Sequence, residues 1–194
     1  MMSSQTVSQR YSTPSIAMHW AMLLLFVAVY ALINVAEGFE KGSAGRQMAR
    51  DWHFSFGLLI FALVWVRIAL RVLGTTPPIQ LAPSALMEKL AKAGHLALYA
   101  LMVVLPVVGW LVLSARGKPI PFFGLELPAL IGPDKALGRQ LKEVHELGGN
   151  LGYFLIGGHA VAALLHHYVL KDNTLRRMGF MPSESSQGNF ERRD

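Results

Sequence analysis

Four long apolar segments, separated by polar links, constrain this chain more than any other feature. They run from about Pro14 to Ala36, Trp52 to Leu73, Leu90 to Ser114 and Glu146 to Leu170. At 1.5 Å of rise per residue, each is long enough to cross a hydrocarbon core of about 30 Å. An open strand could not satisfy its backbone in lipid, so all four are expected to be helices. Thr13 and Pro14 read as an N-cap and first helical residue. Gly74 and the Pro77–Pro78 pair close the second segment, and Pro106 is expected to kink the third. The expected fold is all-α, a four-helix transmembrane bundle over residues 14–181. A polar N-terminal tail (1–13) precedes it. A C-terminal tail (182–194) follows, whose Ser, Gly, Asn and charge content predicts disorder.

Composition supports lipid as the solvent. The chain is 53% hydrophobic and 15% charged, against about 25% charged in a soluble domain. Its net charge of +6 does not point to nucleic acid, because the basic residues lie at the ends of apolar blocks and not in one stripe. The first apolar segment is too long for a signal-peptide core and no small-residue cleavage site follows, so it is expected to be retained. Four spans put both termini on one side. The N-tail, second link and C-tail carry ten Lys and Arg against eight on the other two links, a bias toward termini inside. The third link, Ala115 to Val144, holds four prolines and five basic residues, and a loop of that length is expected to be functional or mobile.

With no cysteine in the chain, disulfides, thiolate metal sites, iron–sulfur clusters, cysteine catalysis and covalent c-type haem are excluded. All seven histidines, by contrast, lie in or at the ends of apolar segments, where ionisable groups are costly and mark functional positions. His145 and His159 are 14 residues apart. At about 100° per residue they point to nearly one face, with an axial separation of about 21 Å. One helix thus offers two imidazoles to the bundle interior, one near each membrane surface. Gly152 lies midway on the same stripe, and Gly148, Gly149, Gly157 and Gly158 thin the surface beside it for a flat macrocycle.

Each ring needs a partner at its own depth. His53 opens the second segment on the loop side and matches His145. His19 opens the first segment on the terminus side and matches His159, although His95 starts the third segment at similar depth and competes with it. Two bis-histidine sites suit two low-spin haems that carry electrons. The plainer reading, interfacial or interhelical hydrogen bonders, suits any one histidine alone but not the matched set. Zinc is not expected, because the histidines do not converge at one depth. Arg67 lies about 9 Å inside the second span, where it either snorkels to the surface or pairs with a propionate of the inner haem. His166 lies a further seven residues along the stripe from His159. It could meet a quinone headgroup or, with His167 and Tyr168, anchor the helix in the headgroup region.

The sequence then resembles a known family, the prokaryotic cytochromes b561, from Tyr11 to about Pro182. The resemblance is carried by Ile16-Ala17-Met18-His19-Trp20, Asp51-Trp52-His53, Gly94-His95-Leu96, Arg116-Gly117-Lys118-Pro119 and Phe123-Gly124-Leu125. The run from Val144 to Thr174 is the most specific, with His145-Glu146, Asn150-Leu151-Gly152-Tyr153-Phe154, Gly158-His159-Ala160, His166-His167-Tyr168 and Lys171-Asp172-Asn173-Thr174. The resemblance implies that the four ligands are His19, His53, His145 and His159, and it sets His95 aside. It implies non-covalent haem b, a bacterial inner-membrane location and a superoxide oxidase activity with ubiquinone as acceptor. In that reading Arg116, Lys118, Lys135, Arg139 and Lys142 either steer superoxide to the outer haem or are the ordinary interfacial charges of a solvated loop. The alternative is a membrane-anchor cytochrome b subunit passing electrons between the quinone pool and a partner redox protein. A transporter or scaffold would leave the histidine geometry unexplained.

Overall fold

In the computed structural model, which describes residues 10–80 and 84–179, four helices carry the chain. They are α1 (Thr13–Gly38), α2 (Ala44–Leu73), α3 (Ala85–Ala115) and α4 (Lys135–Tyr168). All four are long and apolar enough to cross a membrane. Their outward faces carry large apolar side chains such as Leu24, Trp65, Leu96, Val104 and Phe154, the last 80% exposed. Lipid, not water, is the solvent those faces suit. Residues 1–9 and the C-terminal tail from 182 lie outside the described residues.

The helices outrun the apolar segments at three of their four starts. α2 begins at Ala44 and not near Trp52, α3 at Ala85 and not near Leu90, and α4 at Lys135 and not near Glu146. Side-chain caps set these starts. Ser43 Oγ accepts from Arg46 N–H, Ser84 Oγ from Met87 N–H, and Asp134 Oδ1 from Ala136 and Leu137 N–H. A cap satisfies orphan donors wherever it stands, so helix continues into polar sequence. At α1 the cap position is Ser12 and Thr13 is already helical. Pro14 is tolerated within the first turn because its missing N–H would have had no partner there.

The third link is correspondingly shorter than expected and is not structureless. Strands β1 (Ile120–Phe122) and β2 (Leu125–Leu127) form an antiparallel hairpin. Its two turn residues, Phe123 and Gly124, have φ of 49° and 85°, the positive values that a two-residue hairpin turn demands. Phenylalanine in the turn's first position hid this hairpin from the sequence. Its anchor is Ser55 on α2, whose hydroxyl donates to Pro121 O and accepts from Phe123 N–H. Ile120 is buried with Leu58 and Leu113. The hairpin therefore closes the loop-side ends of α2 and α3.

A main apolar cluster of Met22, Ile60, Val64 and Met102 joins α1, α2 and α3. α4 packs its backbone closely against α3, while its approaches to α1 and α2 are sparse or absent. Side chains must span that separation, and the histidines are among those that do.

At the terminus side, three separate stretches are stapled together. Tyr11 N–H donates to Arg177 O and Trp20 Nε1–H to Met178 O. The buried Arg177 donates to Pro77 O and lies over the Tyr11 ring. Asn173 accepts from Gln80 N–H at 3.0 Å and donates to Pro78 O at 3.2 Å. Asn173→Ala removes both bonds from a buried position, a loss of about 1–3 kcal/mol. The melting temperature of the detergent-purified protein should fall by about 2–10 °C. An unchanged melting temperature would show that this staple does not hold the C-terminal segment.

Candidate functional site

The loop-side histidines approach first. His53 on α2 and His145 on α4 have ring centres 6.3 Å apart, inclined by 79°. Each ring is fixed by its Nδ1. That of His53 lies 2.9 Å from Val29 O, and that of His145 lies 3.1 Å from Leu105 O. A carbonyl only accepts, so both Nδ1 atoms carry the proton and both Nε2 lone pairs are free to ligate. His145 reaches this position because residue 109 is glycine. A Cβ there would sit 3.0 Å from His145 Cε1. Gly109 was not singled out in the sequence, where nothing marks it as facing α4.

The terminus-side pair repeats the spacing. The His19 and His159 ring centres are also 6.3 Å apart, inclined by 65°. An imidazole nitrogen lies about 2 Å from a bound metal, and its ring centre about 1 Å further. Two rings sharing one ion therefore stand about 6 Å apart, and both pairs fit. Their helices are separated at the backbone, as a flat group between them would require. His95 stands nearer to His159, at 5.4 Å between centres, which is short for a shared ion and ordinary for a packed aromatic contact. Among the described residues no three His, Asp or Glu side chains converge as a metal cluster would need.

Arg67 lies beside the terminus-side pair, with its Nη2 2.9 Å from His19 Nδ1 and its guanidinium 6.0 Å from the Tyr99 ring centre. A guanidinium only donates, so His19 Nδ1 is the acceptor. Its hydrogen-bond polarity is thus opposite to that of His53 and His145. Arg71 sits further out, over the Tyr11 ring.

Gly152 has a different occupant from the one its place on the stripe suggested. It is the Tyr30 hydroxyl, which a Cβ would strike and which donates to Gly149 O at 2.8 Å. Tyr30 and Tyr153 rings stand 4.2 Å apart, midway between the two histidine levels. Leu105 fills the space a Cβ would take at Gly148, whereas a Cβ at Gly149, Gly157 or Gly158 would meet nothing within 4 Å.

His166 has a partner that the sequence did not assign. α4 ends at Tyr168, and Lys171 turns back at a φ of 53°. Asp172 N–H then donates to His166 O, and its carboxylate meets His166 Nδ1 at 2.6 Å. The other carboxylate oxygen accepts from Thr174 N–H at 2.8 Å. The signal for Asp172 lay in the Lys171–Thr174 run, but its meaning depends on a left-handed residue that sequence alone does not announce. Burial works against the charged carboxyl, yet the bonds from His166 and Thr174 outweigh it and hold Asp172 below the usual carboxylate range. A depressed folded pKa contributes stability that is complete above the unfolded value and is lost as pH falls through the folded one. Asp172→Asn should therefore lower the melting temperature at neutral pH, with the difference shrinking below about pH 4. A difference independent of pH would contradict this.

The profile of the prokaryotic cytochrome b561 family matches residues 10–181. A probable superoxide oxidase of Yersinia pestis is 42% identical over 88% of this chain and 96% of its own length. Cytochrome b561 homolog 1 of Escherichia coli strain K12 is 35% identical over 87% of the chain and 96% of its own. Cytochrome b562 of Cereibacter sphaeroides is 30% identical over 87% and 94%.

Proposed function

This chain belongs to the prokaryotic cytochrome b561 family, a family of membrane electron-transfer proteins that bind haem b, and we propose that it is a di-haem superoxide:ubiquinone oxidoreductase. The observation that carries the reading is the pair of histidine couples, each 6.3 Å between ring centres, at opposite ends of one helix. The likeness to a probable superoxide oxidase supports the choice of substrate.

In this reading His53 and His145 hold the outer haem b, and His19 and His159 the inner. The bound haems supply one-electron chemistry, by which two superoxide ions become two oxygen molecules while one ubiquinone takes two electrons and two protons to become quinol. The chain's own residues do the rest. The carbonyls of Val29 and Leu105 hold the outer rings in the ligating tautomer. Arg116, Lys118, Lys135 and Arg139 bring positive charge to the outer end and attract an anion. Lys142 is paired with Glu146 and adds little. At the inner end Arg67, half-buried beside His19, would pair with a haem propionate. His166, oriented by Asp172, serves as hydrogen-bond donor and proton source to a quinone headgroup. The protein lies in the bacterial inner membrane with both termini cytoplasmic, so the hairpin faces outward.

The test is the purified chain alone. Superoxide should reduce its haem and yield ubiquinol, at a rate that falls with ionic strength as the outer charge is screened. His166→Ala should leave haem reduction intact and slow reoxidation by ubiquinone about tenfold or more, within the range of a lost general acid. Haem that superoxide does not reduce would reject the substrate. Reduced haem that ubiquinone does not reoxidise would favour an anchor subunit needing a redox partner. Unaltered quinone kinetics in His166→Ala would move the quinone site elsewhere.

A further inference from the structure

We propose that Arg67 sets the order of the two haem potentials: its guanidinium charge, in contact with the His19 ring, makes the His19–His159 centre the stronger electron acceptor. This rests on the reading that each histidine couple holds a haem.

The two centres differ in the polarity of what touches their ligand rings. At the outer couple both Nδ1–H groups donate to backbone carbonyls, Val29 O and Leu105 O. Such a bond makes the imidazole more basic and the ligand more electron-rich, which favours the oxidised metal. At the inner couple the group on His19 Nδ1 is a permanent cation, 2.9 Å away. Arginine stays charged at any working pH, and a fixed positive charge beside a redox centre favours the state that has gained an electron. The cations nearest the outer couple, Arg50 beside His53 and Lys142 beside His145, act through space, and Lys142 is neutralised by Glu146. Arg67 is half-buried among apolar helices, where a charge is screened far less than at the surface.

The tautomer adds a second consequence. As it stands, His19 accepts at Nδ1 and so carries its proton on Nε2. Ligation through Nε2 leaves Nδ1 as the protonated nitrogen, and the Arg67 N–H must then turn to another acceptor at that depth, a haem propionate being the suitable one. In the first arrangement its charge acts on the ring directly; in the second it offsets a propionate charge that would otherwise favour the oxidised state, so its removal lowers the inner potential in both. The order of potentials that results runs from the outer couple toward the end of the bundle where His166 and Asp172 lie, so each electron moves downhill toward the quinone.

Redox titration of the purified haem-loaded protein, followed by its optical spectrum, tests this. The inner component is assigned as the one missing from His159→Ala. In Arg67→Gln the inner component should shift at least tenfold toward its oxidised form, 59 mV or more for a one-electron couple, while the outer component moves much less. Arg67→Lys keeps the charge and should hold most of the wild-type potential. An unmoved inner component, equal movement of both, or Arg67→Lys falling as far as Arg67→Gln would overturn the proposal. If Arg67→Gln fails to load the inner haem, Arg67→Lys decides alone: a potential near wild type supports the proposal and a tenfold shift overturns it. Haem content separates the two levels of failure. One haem per wild-type chain rejects the site itself; two haems with an unmoved inner potential reject only the role of Arg67.

Discussion

The histidine rings of α4 meet those of α1 and α2 across a space that their backbones do not close, and most of the architecture serves to hold that space open at a fixed width. Two imidazoles at 6.3 Å cannot be a packing accident at both ends of one bundle without cost. Each is a polar group at membrane depth whose nitrogens demand partners. The loop-side rings satisfy Nδ1 on carbonyls of neighbouring helices, and the absence of a side chain at Gly109 lets His145 reach its place. Tyr30, lodged against Gly152 between the two levels, spaces α1 from α4 at mid-depth.

The ends of the bundle are closed by unlike devices. On the loop side, the hairpin hangs from one serine and buries Ile120 between α2 and α3. On the terminus side, the stretch before α1, the link between α2 and α3 and the turn after α4 are knitted by Arg177, Asn173 and Tyr11. Because the side chains facing outward along the spans are large and apolar, stability against lipid comes from packing and these polar staples more than from water exclusion. The terminus-side staple also brings Asp172 to His166, so the element that fastens the C-terminal segment orients that ring.

Much of this was legible in the sequence for physical reasons. Lipid permits few folds, so four apolar runs of spanning length lead to four helices. A 14-residue interval on a helix fixes the relative direction of His145 and His159 whatever surrounds them. What escaped had a non-local or conformational cause. Helix starts were misplaced because hydropathy marks the membrane while Ser43, Ser84 and Asp134 mark the helix. The hairpin was missed because Phe123 takes a conformation that asparagine or glycine would have advertised. Gly152 served a tyrosine and not a macrocycle, and the contact of Arg67 with His19 joins residues 48 apart in sequence. No spacing rule contains that contact.

Di-haem electron transfer by this chain requires two iron sites, each closed by two imidazoles. Low-temperature electron paramagnetic resonance of the oxidised, purified chain reads this directly. Two distinct low-spin ferric signals are expected, one lost in His53→Ala or His145→Ala and the other in His19→Ala or His159→Ala. A single low-spin signal, a dominant high-spin signal in the wild-type protein, or loss of the inner signal in His95→Ala but not in His19→Ala would contradict it.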